Sequence, residues 1–400
     1  MKKQKTTLRD IAKAANVSMM SVSRALRGGV GVSGELRTRI TRLAEELGYV
    51  PNRLSYELGQ QKNTMTVGVV IPHFGNSFFT SILQQIESTL FTHGYRILLA
   101  CSFNNPIKEF HDISALLERQ VDGIIWAPVV YDEGRRAAEL IMRQNCPLVF
   151  IDRKIPGINT DAVVVDDRHG ALSAMRHLTS MGLRKIAYFG ARLDSYVTQE
   201  RRSGYLAGLR EAGIEVRGEW MFRTGNDMTA GQSAVSQLLE QKEKVEAIFC
   251  FNDMLAVGTE LELLNRGIRI PEDIMLVGFG GVLESGIVRV PITSVHQDEN
   301  ALATAAAELL LTRMNNPTMK LPSVERVIPT SLIVRESTQR LPPAQKTAAE
   351  SSVAAPAMSK NASKSSVATP ATSKTASKSS VAAHAASKTA SKSPANSKQR

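Results

Sequence analysis

Cysteine is scarce. The three that occur in 400 residues, Cys101, Cys146 and Cys250, lie far apart in apolar surroundings with no C-x-x-C pair. That excludes a disulfide scaffold and a thiolate metal site, and each reads as a small buried hydrophobe. No apolar run approaches the roughly 18–20 residues needed to cross a bilayer. The N-terminus "MKKQKTTLRDIAKAANV" has no apolar core of the secretory kind, so a soluble, cytoplasmic protein without membrane contact is expected. The seven histidines are scattered, and there is no G-x-S-x-G and no P-loop. The glycine-poor loop "IPHFGNS" lacks a dinucleotide fingerprint. These absences argue against an enzyme and against a cofactor or metal.

What is present is charge, unevenly placed. The net charge is +11. Residues 1–60 carry 11 Lys/Arg against 5 Asp/Glu, residues 61–340 carry 29 against 32, and residues 341–400 carry 9 against 1. Two basic ends flank a near-neutral middle, as a polyanion partner requires. The length calls for two or three domains.

The first 50 residues read as three short helices. Thr7 followed by Asp10 approximates a capping box opening "LRDIAKAA", whose Leu8, Ile11, Ala12 and Ala15 form one apolar stripe. Ser18 caps "MMSVSRALR", ended by Gly28-Gly29, and Ser33 caps "GELRTRITRLAEELG", ended by Gly48. The turn Asn16-Val17 is so short that the first two helices form a helix-turn-helix unit. From residue 64 to about 340, apolar runs ("MTVGVVI", "YRILLA", "DGIIWAP", "PLVFI", "AVVVD", "KIAYFG", "AIFCF", "IMLVGF") alternate with amphipathic stretches at 77–92, 107–119, 199–212, 229–241 and 254–266. Runs apolar throughout are strands covered on both faces, which predicts an α/β core of parallel sheets in two subdomains. Ligands of such folds bind beyond the carboxyl ends of the strands. From Ser351 a Ser/Ala/Lys-rich repeat of period 14 begins, with no aromatic, Leu or Ile. Residues 341–400 are expected to be a disordered tail, a solvated spacer or a loose DNA-binding arm.

Two adjacent methionines in "NVSMMSVSRAL" need a reason, because helix neighbours point about 100° apart and one buried stripe does not take both. Val22 and Leu26 face the small core with Ile11 and Val17. Met19, Met20, Arg24 and Arg27 then point outward, toward the major groove into which the second helix of such a unit is laid. Methionine suits thymine methyl groups, and Arg24 can hold guanine O6 and N7 together. Ser18, Ser21 and Ser23 suit phosphate oxygens near the helix N-terminus, with Thr7 among the DNA contacts.

The stretch from Thr7 to Gly59, with V-S-x-x-[ST]-V-S-R followed by G-Y-x-P-N-R, resembles the DNA-binding headpiece of the lactose/galactose repressor family. Residues 64–340 resemble that family's sugar-sensing core, with a periplasmic-binding-protein-like fold. The resemblance implies a dimeric repressor-type regulator on a near-palindromic operator, controlled by a small sugar or sugar-acid effector. By the same resemblance, Met19 and Met20 set operator preference and Arg24 contacts a base. "PNRLSYELG" (within 51–63) matches the hinge helix, with Leu58 as minor-groove wedge beside Asn52 and Ser55; Glu57 departs from the family pattern and is repulsive near phosphates.

The matching also places Phe78 and Phe79 as the pocket's apolar surface and Asp152, Arg201 and Asn252 as its polar contacts. Gly280 replaces an acidic residue of many relatives. This removes a negative charge while Arg201 stays, which on sequence leans toward an anionic effector; "YFGARLD" resembles the gluconate-responsive branch. The tail has no leucine after Leu341, which argues against a leucine-zipper tetramer and for a homodimer. Two rival readings are a periplasmic-type sugar-binding protein without DNA function and a non-specific nucleoid-type DNA binder; the headpiece and the missing export signal disfavour the first.

Overall fold

Thr7 opens the first helix: its hydroxyl accepts from the Asp10 amide, and its own amide donates to Asp10 Oδ2 at 2.8 Å. The computed structural model describes residues 6–26, 29–49, 64–191, 195–317, 319 and 321–339. The predicted hinge (51–63) and repeat tail (341–400) lie outside them. The capping box leads into α1 (Leu8–Ala15), which ends at Asn16 in the left-handed region (φ 53°), a conformation Asn tolerates better than most residues. Two residues later Ser18 Oγ accepts the Ser21 amide at 3.0 Å and starts α2 (Met19–Leu26). Ser33 likewise caps α3 (Gly34–Glu46). Ile11, Ala15, Val22, Ala25, Ile40 and Ala44 close one small core between the three helices, and Arg39 ties α3 to the end of α1 by donating to the Ala15 carbonyl at 2.9 Å.

The core then runs β1 (Thr66–Ile71), α4 (Ser77–Thr92), β2 (Arg96–Cys101), α5 (Pro106–Glu118), β3 (Gly123–Trp126), α6 (Tyr131–Arg143), β4 (Leu148–Asp152) and β5 (Asp161–Val165). It continues as α7 (Asp167–Ser180), β6 (Ile186–Ala191), α8 (Tyr196–Glu211), β7 (Met221–Thr224), α9 (Met228–Leu239), β8 (Ala247–Cys250) and α10 (Asp253–Asn265). Last come β9 (Met275–Gly280), α11 (Leu283–Ile287), β10 (Thr293–Gln297), α12 (Glu299–Asn315), β11 (Glu325–Ile328) and β12 (Thr330–Ile333).

Two six-stranded sheets result, ordered β11-β5-β4-β3-β1-β2 and β12-β10-β9-β8-β6-β7. The first is parallel throughout. The second is parallel except that β12 joins β10 antiparallel, a departure from the all-parallel expectation. Each strand serves two layers because successive side chains point to opposite faces. Val69, Ile125, Val149 and Val163 pack under α4 and α12. Their chain neighbours Val70, Ile124, Phe150 and Val164 pack against α5 and α6 on the other face. The second sheet divides in the same way, Phe189 and Ile248 to one side and Tyr188 and Phe249 to the other.

The chain passes between the subdomains three times: from β5 into α7, from β10 into α12, and from β11 into β12 with only Pro329 between. The passages leave a cleft between the carboxyl ends of both sheets. Among the described residues no helix is long and apolar enough to cross a membrane. All three cysteines are free thiols, Cys101 and Cys250 buried and Cys146 half-buried.

Candidate functional site

Two places carry chemistry. On the headpiece, Val22 and Ala25 of α2 turn inward, and Met19 and Met20 stay 51% and 65% exposed. Arg24 is exposed as well. The outward face predicted for these three residues is therefore present. Ser18 and Ser21 share a hydroxyl contact at 2.9 Å at the start of α2, beside amides free to meet an anion. Ser23 is half-buried and Thr7 exposed, with the Thr7 hydroxyl donating to Asp10 Oδ2 at 2.7 Å. Arg27, Asn52, Ser55 and Leu58, also expected at the DNA, lie outside the described residues.

In the core, one cavity of about 220 Å³ lies between the subdomains, and Phe78, Phe79, Asp152, Arg201 and Asn252 all line it. Asn76 caps α4 by accepting the Phe78 amide at 3.1 Å, which presents both phenylalanines at the helix start; their rings meet edge-on at 5.2 Å. Asp152 ends β4 with φ 64°, a strained backbone for a non-glycine residue of the kind that clusters at ligand sites. Its Oδ2 accepts from Arg153 Nε at 3.2 Å, and burial raises the carboxyl above its ordinary range. Asn252 opens α10: its Oδ1 accepts the Leu255 amide at 2.8 Å, and its Nδ2 donates to the Asn226 carbonyl at 2.9 Å. It shapes the wall with its polar atoms engaged in the protein.

Arg201 is the most constrained of the set. Its Nε donates to Asp167 Oδ1 at 2.7 Å, Nη1 to the Phe251 carbonyl at 2.7 Å, and Nη2 to Gln297 Oε1 at 3.4 Å. The guanidinium sits 3.7 Å over the Phe279 ring, a cation–π placement suited to a fixed, desolvated arginine. Burial pushes Asp167 up to about 7 despite this partner.

Residues the sequence did not single out complete the cavity, among them Arg153, Phe279, Gln297 and Asn104. Gln297 ends the polar strand β10, and Arg153 follows Asp152 directly. Asp167 stands behind Arg201, which it meets only through folding. Gln297 Nε2 and Asn104 Oδ1 are buried without a protein partner. One is a donor and the other an acceptor, and a ligand hydroxyl can satisfy either. At Gly280 the backbone has φ +136°, and an added Cβ would lie 3.3 Å from Asp253 Oδ2. A side chain there would be strained, and an acidic one would also crowd the Asp253 carboxylate. The charge argument drawn from the missing acidic residue changes, however, because Arg201 and Arg153 are each already paired with a carboxylate.

An exposed recognition helix, carried by a two-lobed α/β core whose strand ends converge on one polar and aromatic cavity, defines a DNA-reading domain joined to a small-ligand sensor. Residues 7–52 match the family described as bacterial regulatory proteins, lacI family. Residues 64–333 match the periplasmic binding proteins and sugar binding domain of the LacI family. The chain is 31% identical to catabolite control protein A of Priestia megaterium, over 83% of this chain and 99% of that protein. It is 28% identical to the ribose operon repressor of Haemophilus influenzae, over 83% of this chain and 98% of that protein. Among solved structures, the transcriptional regulator CelR–cellobiose complex matches with a TM-score of 0.64 at 27% identity, covering 83% of this chain and all of that one. The chain belongs to the LacI family of DNA-binding transcriptional regulators.

Proposed function

We propose that α2 reads operator DNA through Met19, Met20 and Arg24, and that the cleft takes a small polyhydroxylated effector whose binding alters operator affinity. The observation that carries this reading is the convergence of Phe78, Phe79, Asp152, Arg201 and Asn252 from both subdomains on one cavity. Its volume, about 220 Å³, is below the roughly 300–1,000 Å³ of drug-sized sites and suits a single sugar ring. A ligand touching both walls favours one relative placement of the subdomains, and only such differential binding shifts a conformational equilibrium.

The working unit is a homodimer on a near-palindromic operator, located with the DNA in the cytoplasm. Supporting this, β2 is a sheet edge, and Phe91, Leu99, Phe103 and Ile107 are exposed on the first subdomain, as are Leu283 and Ile287 on the second. Apolar groups left open in such numbers mark interfaces, and a two-fold dimer spaces two headpieces for two half-sites. The reading is binding without turnover: the cleft's carboxylates rest on arginines, amides and hydroxyls. Asn52, Ser55 and Leu58 belong to the same proposal as minor-groove contacts, with Ser18, Ser21, Ser23, Thr7 and Arg27 at the backbone.

The test has two stages. Genomic pull-down with sequencing of bound fragments yields the operator. Fluorescence anisotropy on that operator is then run against a panel of sugars, sugar acids and polyols. One of them is expected to change operator affinity in the wild type and to lose that effect in Asp152→Ala. Operator binding that no panel member alters would overturn the effector reading.

A further inference from the structure

Asp152, Arg153 and Arg201 line the cleft, and Glu109 and Asp167 lie buried behind them, so that five charged side chains form one row. Arg153 Nε lies 3.2 Å from Asp152 Oδ2 in the first subdomain, and Arg201 Nε lies 2.7 Å from Asp167 Oδ1 in the second; Glu109 is within electrostatic reach of Arg153, and Asp152 of Arg201. None is more than 7% exposed. The row begins in the first subdomain and ends in the second, and it holds three carboxylates to two guanidiniums. Nearby, Arg335 shares the Ser285 hydroxyl with Asp253, whose charge offsets it, and His73 also lines the cavity. Asp253, also lining the cavity, is a further buried carboxylate, held by the Val282 amide and the Ser285 and Ser294 hydroxyls. At the cavity's edge Asp227 caps α9.

We infer that the cleft selects an uncharged polyhydroxyl ligand and rejects the acid of the same carbon skeleton. The inference rests on the sugar-type effector reading and specifies its charge class. It reverses the lean toward an anion, which counted Arg201 as an unmatched cation. An incoming carboxylate must shed its water beside Asp152 with both arginines already committed, and like charges brought together in a desolvated site repel. A neutral hydroxyl carries no such penalty. It donates to Asp152 or Asn104 Oδ1 and accepts from Gln297 Nε2. Burial raises Glu109, Asp152 and Asp167 above the ordinary carboxylate range, while each guanidinium stays held by a carboxylate, at 3.2 Å for Arg153 and 2.7 Å for Arg201.

The test uses the full chain and calorimetry at pH 7.5 with matched pairs of neutral sugar and aldonic acid: glucose and gluconate, galactose and galactonate, ribose and ribonate. The neutral member of the recognised pair is expected to bind, with its acid at least about tenfold weaker, since like-charge juxtaposition disfavours wrong partners strongly. An acid that binds as tightly as its neutral parent, or tighter, overturns the proposal. Silence from every pair is a different result: it withdraws the sugar-type reading underneath and the charge rule with it. A second measurement uses Asp167→Asn, which frees Arg201 and is expected to narrow the discrimination between sugar and acid. An unchanged ratio in that folded variant counts against the row as its cause, while the wild-type comparison stands whether or not the variant folds.

Discussion

Ser77, the first residue of α4, donates its hydroxyl to Glu284 Oε2 on α11 at 2.6 Å, joining the two subdomains beside the cavity. Val282, two residues before Glu284, packs into the same buried cluster as Phe78 and Phe79. At this corner the two subdomains meet through one charge-assisted hydrogen bond and one apolar contact. A hydrogen bond to a charged group contributes about 1.5–3 kcal/mol at best, and less where it is partly open to water. Glu284→Ala is expected to weaken binding of the recognised sugar by roughly three- to tenfold through loss of this contribution. Calorimetry checks it, and unchanged affinity would show that the bond does not hold the cleft.

Arg201 holds up its surroundings as well as facing the cavity. Removing it leaves Asp167 buried without its ion-pair partner and the Phe251 carbonyl without its donor. Breaking a buried pair by deleting one partner costs about 3–5 kcal/mol. Arg201→Ala is expected to lose that much stability in chemical denaturation and to lose sugar binding. Arg201→Lys keeps a charge but not the planar fork, and should lose binding while retaining more of the stability. A stable Arg201→Ala that still binds sugar contradicts the assignment.

Glu109 supplies a pH signature. Burial pushes its carboxyl from an ordinary 4.5 up to about 7, with the Val129 amide and Arg153 opposing the rise and Asp112 adding to it. The folded state holds this proton more tightly than the unfolded chain. The associated stability is present below the unfolded value and is lost as pH rises through about 7. Glu109→Gln has no proton to lose. It is expected to match the wild type near pH 5 and to exceed it at pH 8 by about 2–3 kcal/mol, since each tenfold difference in proton affinity between the folded and unfolded chain is worth about 1.4 kcal/mol. Thermal unfolding at the two pH values decides the matter; a variant effect of equal size at both would contradict it.

Gly258 on α10 lies against the start of α9, where a Cβ would fall on the Met228 carbonyl oxygen. Backbone cannot yield as a flexible side chain does, so Gly258→Ala is expected to destabilise the second subdomain by about 1–3 kcal/mol. Denaturant midpoints test this, with no shift as the contrary outcome.

Much of the architecture is legible in the sequence because the buried strands are apolar on both faces. β1, β3, β4, β5, β6, β8 and β9 appear there as unbroken runs; β2 does too, but as an edge strand it is half open and not covered on both faces as its run suggests. β10 shows no such run: its Thr293, Ser294 and Gln297 are buried, with the Thr293 amide, the Ser294 hydroxyl and Gln297 Oε1 met by Ser337, Asp253 and Arg201, pairings that no local pattern announces. β7, β11 and β12 are short or open strands without a run. α12 escapes a search for amphipathic stretches because Leu302, Ala303, Ala306, Ala307 and Leu310 are buried around most of its circumference, leaving no single stripe. Resemblance picks out five residues that line one cavity but not their charge balance, because the Asp167–Arg201 pair joins positions 34 residues apart in the chain.

The central claim is that the open side of α2 chooses the DNA sequence. The most direct measurement is selection of bound sequences from a randomised operator library, comparing the wild type with variants at Met19 and Met20, alongside affinity for unrelated duplex. Substitution there is expected to change the preferred base pairs while leaving non-specific affinity nearly intact, because base edges and not phosphates are touched. An identical preferred sequence from wild type and variants would contradict the account.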